Sequence, residues 1–348
     1  MNSHAVSVKD VAAAAGVSLG TVSNVLNHPE RVREATRERV QQAVDDLGFV
    51  RNESARQLRA GHSRVLAYLV PSTDNTFFTD VARGARQAAR DRNLALFLCS
   101  SDDRTNHEVD HLRLLVQQRV QGVLLTPLRK LPAKELQVLR RQGIGIVLVD
   151  RPAGSGPYCS VAVDDVVGGR LAMAHLLAQG HRRIAFVGDP ASHAQVADRL
   201  AGAREAVAEA GLDPEKLRVV RTPEMSIDAG WAAGPEIGQG SARTRVTAAF
   251  CANDLLAIGL LQYAVSQRLQ VPDDLALVGY DDIEFAAGAA VPLTSVRQPR
   301  EELGRTAVRL LTAETEESEP TGDGADGHRH QHVVFTPELV VRASSGGA

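Results

Sequence analysis

Three apolar stripes follow one another before residue 50, each with the i, i+3, i+4 spacing that predicts an amphipathic helix. Gly16 separates the first stripe from the second, and glycine suits the left-handed backbone of a tight turn. Ser7 and Asp10 have the spacing of a capping box, and Ser18 can cap the second helix. The pattern predicts a helix-turn-helix and a third helix. The stripes are Val8, Val11, Ala12, Ala15; Val22, Val25, Leu26; and Val40, Ala43, Val44, Leu47.

From residue 65 onward, short apolar runs alternate with amphipathic stretches. This alternation predicts an α/β fold with parallel sheets covered on both faces. About ten strands divide better into two doubly wound halves, crossing near Asp164, than into one sheet. The predicted strands are Val65–Val70, Leu94–Leu98, Gly122–Thr126, Gly145–Val149, Val161–Val163, Arg183–Val187, Leu217–Val220, Ala248–Cys251 and Leu275–Gly279, with a final strand in HVVFTPELVVRASS; predicted helices include Thr79–Arg92, Val166–Gln179, Leu200–Ala210 and Leu255–Arg268.

Polar side chains follow several of these strands. In doubly wound sheets, ligands lie beyond the carboxyl ends of the strands. Carboxylates accept hydrogen bonds from hydroxyls, while arginine and asparagine donate, so the residues suit a hydroxyl-rich ligand. Taken singly, Asp254 and Asp282 could equally be helix caps. The strand-end residues are Asp74 to Phe78, Asp150 and Arg151, Asn253 and Asp254, and Asp281 and Asp282.

Charge is distributed unevenly along the 348 residues, whose net charge is −3. Residues 1–64 carry nine Lys/Arg and seven Asp/Glu, and four arginines stand against Glu53 between Arg51 and Arg64. The remaining residues carry 30 basic and 35 acidic side chains. A basic stretch ahead of an acidic body favours a nucleic-acid-binding head, although a solvated surface helix has the same composition.

Composition narrows the function classes. The three cysteines are far apart and form no CxxC, which argues against a disulfide framework or zinc site. No apolar run spans a membrane and no signal peptide opens the chain, so we expect a cytoplasmic protein. The first predicted strand leads into PSTDNTFF rather than GxGxxG, and no GxxxxGK[ST] occurs, so no enzyme activity or cofactor is expected. HRHQH (His328, His330, His332) follows an acidic, glycine-containing insert, which predicts a mobile loop without metal rather than a metal site.

VSVKDVAAAAGVSLGTVSNVLN, followed by VREATRERVQQAVDDLGFVRNESARQLRAG, resembles the DNA-binding head of the lactose/galactose repressor (LacI/GalR) family of bacterial transcriptional regulators. The first segment fixes about a dozen positions in one register, which makes the resemblance specific. It continues through nearly the whole chain, to Arg342. On the hydrophobic pattern alone, a three-helix bundle without a DNA-binding role remains the alternative.

The resemblance implies that the second helix enters a major groove about 12 Å wide. Asn24 can pair bidentately with adenine, worth about 1–3 kcal/mol of discrimination, whereas Gly20 has no side chain to read a base. Arg33 stands where the family often has a serine cap, which implies a weaker cap. The implied base-reading residues are Leu19, Gly20 and Asn24, and the implied phosphate contacts are Ser18, Thr21, Ser23 and Asn27.

Asn52 to Ala60 is a nine-residue helical stretch. Isolated helices shorter than about 12–15 residues are marginal in water, so it should order on DNA. The resemblance identifies it as a hinge helix, in which Leu58 enters the minor groove with Arg56 and Arg59 as further contacts. The alternative for Leu58 is a core position covering the next domain.

In the family pattern, Arg199 (in RLAGA) is the main donor to a small effector and Asp281 (in GYDD) is an acceptor. Met225 stands where many members have a stacking aromatic, and a thioether is less directional. The implied effector-binding residues are Asn75, Phe77, Phe78, Asp150, His193, Gln195, Arg199, Met225, Asn253 and Asp281.

The resemblance implies a helix-turn-helix head at 1–50, a hinge helix and linker at 51–63, and a periplasmic-binding-protein-like sensor at 64–348. We expect a first subdomain at 64–163 plus 293–315, a second at 164–292 plus 333–342, and a mobile loop at 316–332. The expected function is repression through a near-palindromic double-stranded operator, controlled by a sugar or sugar-like metabolite. Because no leucine-heptad helix follows the last strand, a homodimer is expected. The rivals are an enzyme and a periplasmic sugar-binding protein, and the head argues against the latter.

Overall fold

The computed structural model describes residues 6–49, 63–128, 132–152, 156–191, 193–239, 241, 244–317 and 328–346. The chain forms two compact units, Met1–Ser63 and Arg64–Ala348. The expected hinge contacts Arg56, Leu58 and Arg59 lie outside the described residues.

Three helices form the first unit around a small core. Val11, Val22 and Val40 are fully buried there, one from each helix, as the three stripes predict. The helices are α1 (Val8–Ala15), α2 (Leu19–Asn27) and α3 (Glu34–Leu47), with a 3₁₀ turn at Pro29–Arg31.

The predicted helix ends of this unit are confirmed. The Ser7 N–H donates to the Asp10 carboxylate at 2.8 Å, and Gly16 ends α1 with a left-handed φ of 63°. Ser18 Oγ accepts the Thr21 N–H at 3.1 Å and so caps α2. No described side chain caps α3 at Arg33, which agrees with the weaker cap expected there.

The second unit contains two six-stranded sheets that share a plan. Every described strand pair in the first sheet is parallel, and β1 pairs with β2 and β3 in continuous register. Its spatial order is β11 (His332–Phe335), β5 (Cys159–Val163), β4 (Gly145–Val149), β3 (Gly122–Leu125), β1 (Val65–Val70) and β2 (Ala95–Ser100). Its helices are α4 (Thr76–Arg90), α5 (Thr105–Gln117), α6 (Ala133–Arg141) and α12 (Arg300–Glu317).

The second sheet is parallel except for its edge strand, where β10 and β12 are antiparallel. Its spatial order is β12 (Glu338–Val340), β10 (Thr294–Arg297), β9 (Ala276–Asp281), β8 (Ala248–Cys251), β6 (Ile184–Val187) and β7 (Arg218–Val220). Its helices are α7 (Asp165–Ala178), α8 (Ala194–Glu209), α9 (Ile227–Gly238), α10 (Asp254–Ser266) and the short α11 (Glu284–Gly288), with a 3₁₀ turn at Pro214–Lys216 and another at Ala343–Ser345.

The inner strands of each sheet are buried by helices on both faces, which explains their near-continuous apolar sequences. We call the first sheet with its helices the first subdomain and the second sheet with its helices the second subdomain. The chain passes between them three times, at residue 164, at residues 298–299 and at residues 336–337.

The expected subdomain boundaries need correction at the end of the chain. Thr294–Arg297, expected in the first subdomain, is a strand of the second sheet, because it pairs with β9 from Thr294 opposite Val278. The predicted single final strand is two strands. Residues 332–335 join the first sheet and 338–340 the second, with Pro337 between them. Within the expected loop 316–332, the described residues 328–332 lie against β5.

Candidate functional site: recognition helix and ligand cleft

The outer face of α2 is polar and exposed. Leu19 is 47% exposed, and the Gly20 and Asn24 positions are open to solvent. Val22 and Val25 hold the opposite face in the core. These positions therefore belong to one accessible face of a short helix, as a major-groove reader requires.

The small side chains of α2 bond to one another and to the helix backbone. Ser18 Oγ and Thr21 Oγ1 are 2.9 Å apart. Asn27 Nδ2 donates to the Ser23 carbonyl at 2.8 Å and to Ser23 Oγ at 3.2 Å. These bonds fix the rotamers of the four implied phosphate contacts before any partner binds.

In the second unit, all ten predicted effector residues line one narrow cavity. The strand ends bring them together, since Asn75 and Asp150 follow β1 and β4 of the first sheet. Asn253 follows β8 and Asp281 ends β9 of the second sheet. The helix predicted from Leu200 begins earlier, at Ala194, which places its first turns at the cavity. The lining is Pro71, Asn75, Phe77, Phe78, Thr126, Asp150, His193, Gln195, Val196, Arg199, Met225, Asn253 and Asp281.

Asp150 is the most perturbed carboxylate of the cavity lining. Gln195 Nε2 donates to its carbonyl at 2.5 Å and to its Oδ2 at 3.0 Å. Its Oδ1 is buried and has no hydrogen-bond partner among the described residues. Burial raises the pKa of Asp150 well above the ordinary 3.8, Asp165 adds to this, and Arg199 opposes it. An unbonded buried carboxylate oxygen indicates a place for a ligand donor.

Asp281 lies on the other side of the cavity with both oxygens bonded. Asn75 Nδ2 donates to Oδ2 at 3.2 Å, and Gln298 Nε2 donates to Oδ1 at 2.8 Å. Burial raises the pKa of Asp281, and Arg199 is the main group that opposes the rise. Its backbone has a φ of 104°, so the turn after β9 aims this carboxylate with an unusual conformation.

Arg199 supplies the buried positive charge. Its Nε donates to Asp165 Oδ1 at 2.8 Å and its Nη1 to the Ala252 carbonyl at 2.6 Å. Its guanidinium carbon lies 3.7 Å from the centre of the Tyr280 ring. Burial alone would lower the pKa of Arg199. Asp165 and the other acidic groups around Arg199 raise this pKa by a larger amount, so the guanidinium stays charged. A guanidinium has five N–H donors, which leaves donors for a ligand.

Hydrogen bonds join the subdomains at the cavity: Gln195 donates to the Asp150 carbonyl and to Asp150 Oδ2, and Asn75 donates to Asp281 Oδ2. Arg300 of the first subdomain also donates to the Asp281 and Asp282 carbonyls of the second. Nearby, His193 Nε2 of the second subdomain lies 3.5 Å from Asp103 Oδ1 of the first. A ligand that uses Asp150 or Asp281 must replace these bonds or share their acceptors.

The remaining predicted residues form walls and caps. Phe77 and Phe78 are buried and meet edge to face at 5.1 Å, behind the Asn75 side chain that caps α4. Asn253 Oδ1 caps α10 at the Leu256 N–H, while its Nδ2 donates to the Met225 carbonyl at 3.3 Å. Asn253 therefore has a structural role within the cavity wall.

The alternative of Asp254 and Asp282 as helix caps is wrong. The side chain of Asn253 caps α10, and Ile283 precedes α11 without a side-chain cap. Asp254 accepts from Ser295 Oγ at 2.6 Å and from the Ile283 N–H at 2.9 Å. Asp282 accepts from Arg297 at 2.7 Å. Both carboxylates hold the carboxyl end of the second sheet together.

The sequence pattern missed three cavity residues and one charge partner. Pro71 and Thr126 follow β1 and β3, so the rule that singled out Asp150 applies to them as well. Val196 lies on α8. Asp165, which holds Arg199, comes directly after the Asp164 crossing and carries no local signal of this pairing.

A larger open groove of about 800 Å³ lies in the second subdomain, at the amino ends of its strands. Leu177, Val207 and Leu217 line it together with Arg182 and Lys216. Its described lining comes from one subdomain and includes a single carboxylate, that of Asp213, so the groove lacks the convergent acceptors of the cleft. Among the described residues, no helix is both long and apolar enough to cross a membrane.

Two family models match this chain. Residues 7–52 match the model described as bacterial regulatory proteins, lacI family. Residues 173–345 match the model described as periplasmic binding protein-like domain. The first range contains α1 to α3, and the second contains most of the second subdomain, α12 and β11.

Similar proteins extend over nearly the full chain. The HTH-type transcriptional repressor PurR of Photobacterium profundum is 31% identical over 338 residues, 97% of this chain and 98% of the relative. The ribose operon repressor of Escherichia coli (strain K12) is 32% identical over 341 residues, 97% and 99% of the two chains. A solved structure, the transcriptional regulator CelR–cellobiose complex, is 32% identical with a TM-score of 0.70, covering 97% and 99%.

Proposed function

Because this chain belongs to the LacI family of bacterial regulatory proteins, we propose that it is a DNA-binding repressor controlled by a small hydroxyl-rich effector. The observation that carries the proposal is the single cavity that all ten family-pattern residues line. Its convergent carboxylates, amides and guanidinium beside an apolar wall suit a sugar or a sugar-like metabolite.

The cavity chemistry supports a hydroxyl-bearing ligand. Asp150 Oδ1 can accept a hydrogen bond from a ligand hydroxyl, and Arg199 retains N–H donors for a ring or hydroxyl oxygen. Phe77 supplies an apolar wall. With Met225 in place of an aromatic, recognition rests on hydrogen bonds more than on stacking. The ribose and cellobiose in the names of similar proteins fit this class.

On DNA, we place α2 of each head in the major groove. The exposed Leu19, Gly20 and Asn24 then face base edges, and Ser18 and Thr21 face the backbone. Two heads would read half-sites about one helical turn apart in a near-palindrome. Leu58 of each chain would enter the minor groove between them, with Arg56 and Arg59 beside it.

The homodimer has support in the first subdomain. Strand β2 is an edge strand of its sheet, and it exposes Phe97 (53%) and Leu98 (40%). Leu114 on α5 is 47% exposed. Native proteins rarely leave an apolar strand edge uncovered. We therefore assign this edge to contact with a second copy.

Control of DNA binding would run through the cleft. The Gln195–Asp150 and Asn75–Asp281 bonds hold the two subdomains together without ligand. An effector that replaces them shifts the population between subdomain arrangements. The cleft binds without turnover in this proposal, and the protein works in the cytoplasm, where its operator lies.

A thermal-shift screen of the full chain against sugars, polyols and nucleosides tests the ligand class. We expect a hydroxyl-rich compound to raise the melting temperature and to change retardation of a cognate fragment in a gel-shift assay. If a compound bound tightly and no genomic fragment were retarded with or without it, the repressor function would be refuted in favour of a plain binding protein.

The DNA contacts are tested by Asn24→Ala and Leu58→Ala. Loss of a bidentate base contact should weaken operator binding by about 1–3 kcal/mol, or roughly 5- to 150-fold, while effector affinity stays unchanged. Gel shifts at fixed salt measure this. Gln41→Ala on the outer face of α3 is the control and should bind normally. Operator affinity unaltered in Leu58→Ala would remove it from the minor groove.

A further inference from the structure

Four side chains with metal-binding atoms meet beside the first sheet. They are Cys159, Glu314, His328 and His330, and one ligand atom of each lies within 4.8 Å of all the others. Cys159 begins β5, Glu314 lies near the end of α12, and the histidines precede β11. Distant parts of the chain therefore converge on one point.

The distances around the thiol suit a tetrahedral site. Cys159 Sγ lies 3.1 Å from His328 Nε2 and 3.9 Å from His330 Nδ1. In a tetrahedral zinc site with Zn–S of about 2.3 Å and Zn–N of about 2.05 Å, sulfur and nitrogen are about 3.5 Å apart. The two observed distances bracket that value.

The ligand set is that of a borderline-soft metal. One thiol, two imidazoles and one carboxylate match the donors that zinc prefers, whereas magnesium and calcium prefer all-oxygen sites. Cys159 is fully buried, and the other three are half-buried. An ion can therefore reach the site from solvent and then be shielded from it.

The neighbouring backbone holds this arrangement. The Ser160 N–H donates to the Gln331 carbonyl at 2.9 Å, and the Gln331 N–H contacts Cys159 Sγ at 3.4 Å. His332 Nδ1 lies 3.0 Å from Ser160 Oγ. The sequence predicts a mobile, metal-free loop here, but pairing of β11 with β5 places the histidine tract on the thiol.

We propose that Cys159, His328, His330 and Glu314 bind one zinc-class divalent ion, which cross-links β5, α12 and the approach to β11. Cys159 is the first residue of β5, whereas the effector cavity lies beyond the carboxyl ends of the strands. At 3.3 Å per residue, β5 is about 13 Å long, and this length of strand separates the two sites. The ion site is therefore a second binding site, separate from the effector.

The test uses the full chain, Zn²⁺ and Co²⁺. After dialysis against Zn²⁺, we expect one ion per chain by elemental analysis and a raised melting temperature. Co²⁺ should give a thiolate-to-cobalt absorption band together with strong tetrahedral visible bands. Cys159→Ser should abolish the thiolate band and weaken binding at least tenfold.

Matched variants keep the result interpretable. Cys99→Ser changes a cysteine outside the cluster, and His111→Gln changes a histidine of α5 outside it, so both should bind normally. If Cys159→Ser did not fold, the doubly substituted His328→Gln, His330→Gln chain would provide the same test at half-buried positions. The proposal fails if the wild type binds no Zn²⁺, if Cys159→Ser binds equally well, or if Co²⁺ gives an octahedral spectrum without a thiolate band.

Discussion

The helix α2 and the ligand cleft differ in the exposure and charge of their side chains and in where the partners of those side chains lie in the sequence. On α2, the side chains that we propose for DNA contact are neutral and lie on the accessible face, and the bonds between Ser18, Thr21, Ser23 and Asn27 are local. In the cleft, the functional side chains are charged and buried, and their partners come from distant segments such as Asn75 and Asp281.

This difference decides which region tolerates change. A residue on the exposed face of α2 can be replaced without leaving a buried group unpaired, so we expect the effect to fall on DNA binding. A charge in the cleft is desolvated, and removing its partner affects folding as well as ligand binding. Exposed residues of the head can therefore change with little loss of stability. Substitution of a buried charge in the cleft should also destabilise the fold.

The largest expected effect is that of Arg199→Ala. It removes the buried cation that pairs with Asp165 at 2.8 Å and lies 3.9 Å from Asp281, so we expect a loss of about 3–5 kcal/mol in unfolding free energy. The effector response should also be lost. Urea denaturation measures the first and effector-dependent gel shifts the second.

Arg204→Ala is the matched control on the same helix. Its side chain is 40% exposed and lies 4.0 Å from Glu215, so its removal should change stability by less than about 1 kcal/mol. Equal destabilisation by the two variants would contradict the contrast between buried and exposed charge.

Asp150→Asn should separate binding from folding. A neutral amide avoids burying a charge, so stability should not fall, while loss of a charged acceptor should weaken effector binding by about 1.5–3 kcal/mol. Calorimetric titration measures the affinity, with Asp110→Asn, an exposed carboxylate of α5, as control. A variant that lost stability but kept full affinity would assign Asp150 to the framework instead.

Effector binding should also release protons. Burial raises the pKa of Asp150 above 3.8 in the free cleft, and hydrogen-bond donors on the ligand favour the ionised form. The bound state then holds fewer protons, so affinity rises with pH from the lower pKa of Asp150 in the bound state to its raised pKa in the free cleft. Titrations in two buffers of different ionisation enthalpy count the protons, and Asp150→Asn should release fewer. Net proton uptake on effector binding would contradict the proposal that Asp150 binds the effector in its ionised form.

The smallest expected effect is that of Gly20→Ala. A Cβ at this position meets only Ser18 Oγ at 3.7 Å, so the helix should gain about 0.5–1 kcal/mol. Hydrogen exchange of the α2 amides in the full chain should slow by roughly two- to fivefold. Gly16→Ala is the opposing control, because its φ of 63° disfavours a side chain and should reduce protection. Faster exchange in Gly20→Ala would show that α2 does not tolerate the added methyl.

Local signals predicted the head and much of the cleft. Ser7, Gly16 and Ser18 mark helix ends through contacts with residues three or four positions away. Strand ends marked Asp150 and Asn253, because parallel strands direct their carboxyl ends to one edge.

Long-range pairings were outside the reach of these signals. The second-sheet position of β10 depends on pairing with β9, and the Arg199–Asp165 contact joins two helices. Pro337 was a usable signal for the division of the last strand, since proline interrupts a ladder. The convergence of His328 on Cys159 depends on a strand pairing across most of the second unit.

The three passages of the chain between the subdomains also determine when each sheet can be completed during synthesis. Strand β11 is an edge of the first sheet and β12 an edge of the second, and both come from residues 332–340. Neither sheet can be finished until the ribosome has made these last residues. A chain that ended between residues 298 and 331 would therefore leave two uncovered strand edges at once, on β5 and on β10. Such edges are templates for aggregation, so the cell should degrade truncated chains rather than accumulate half-working sensors.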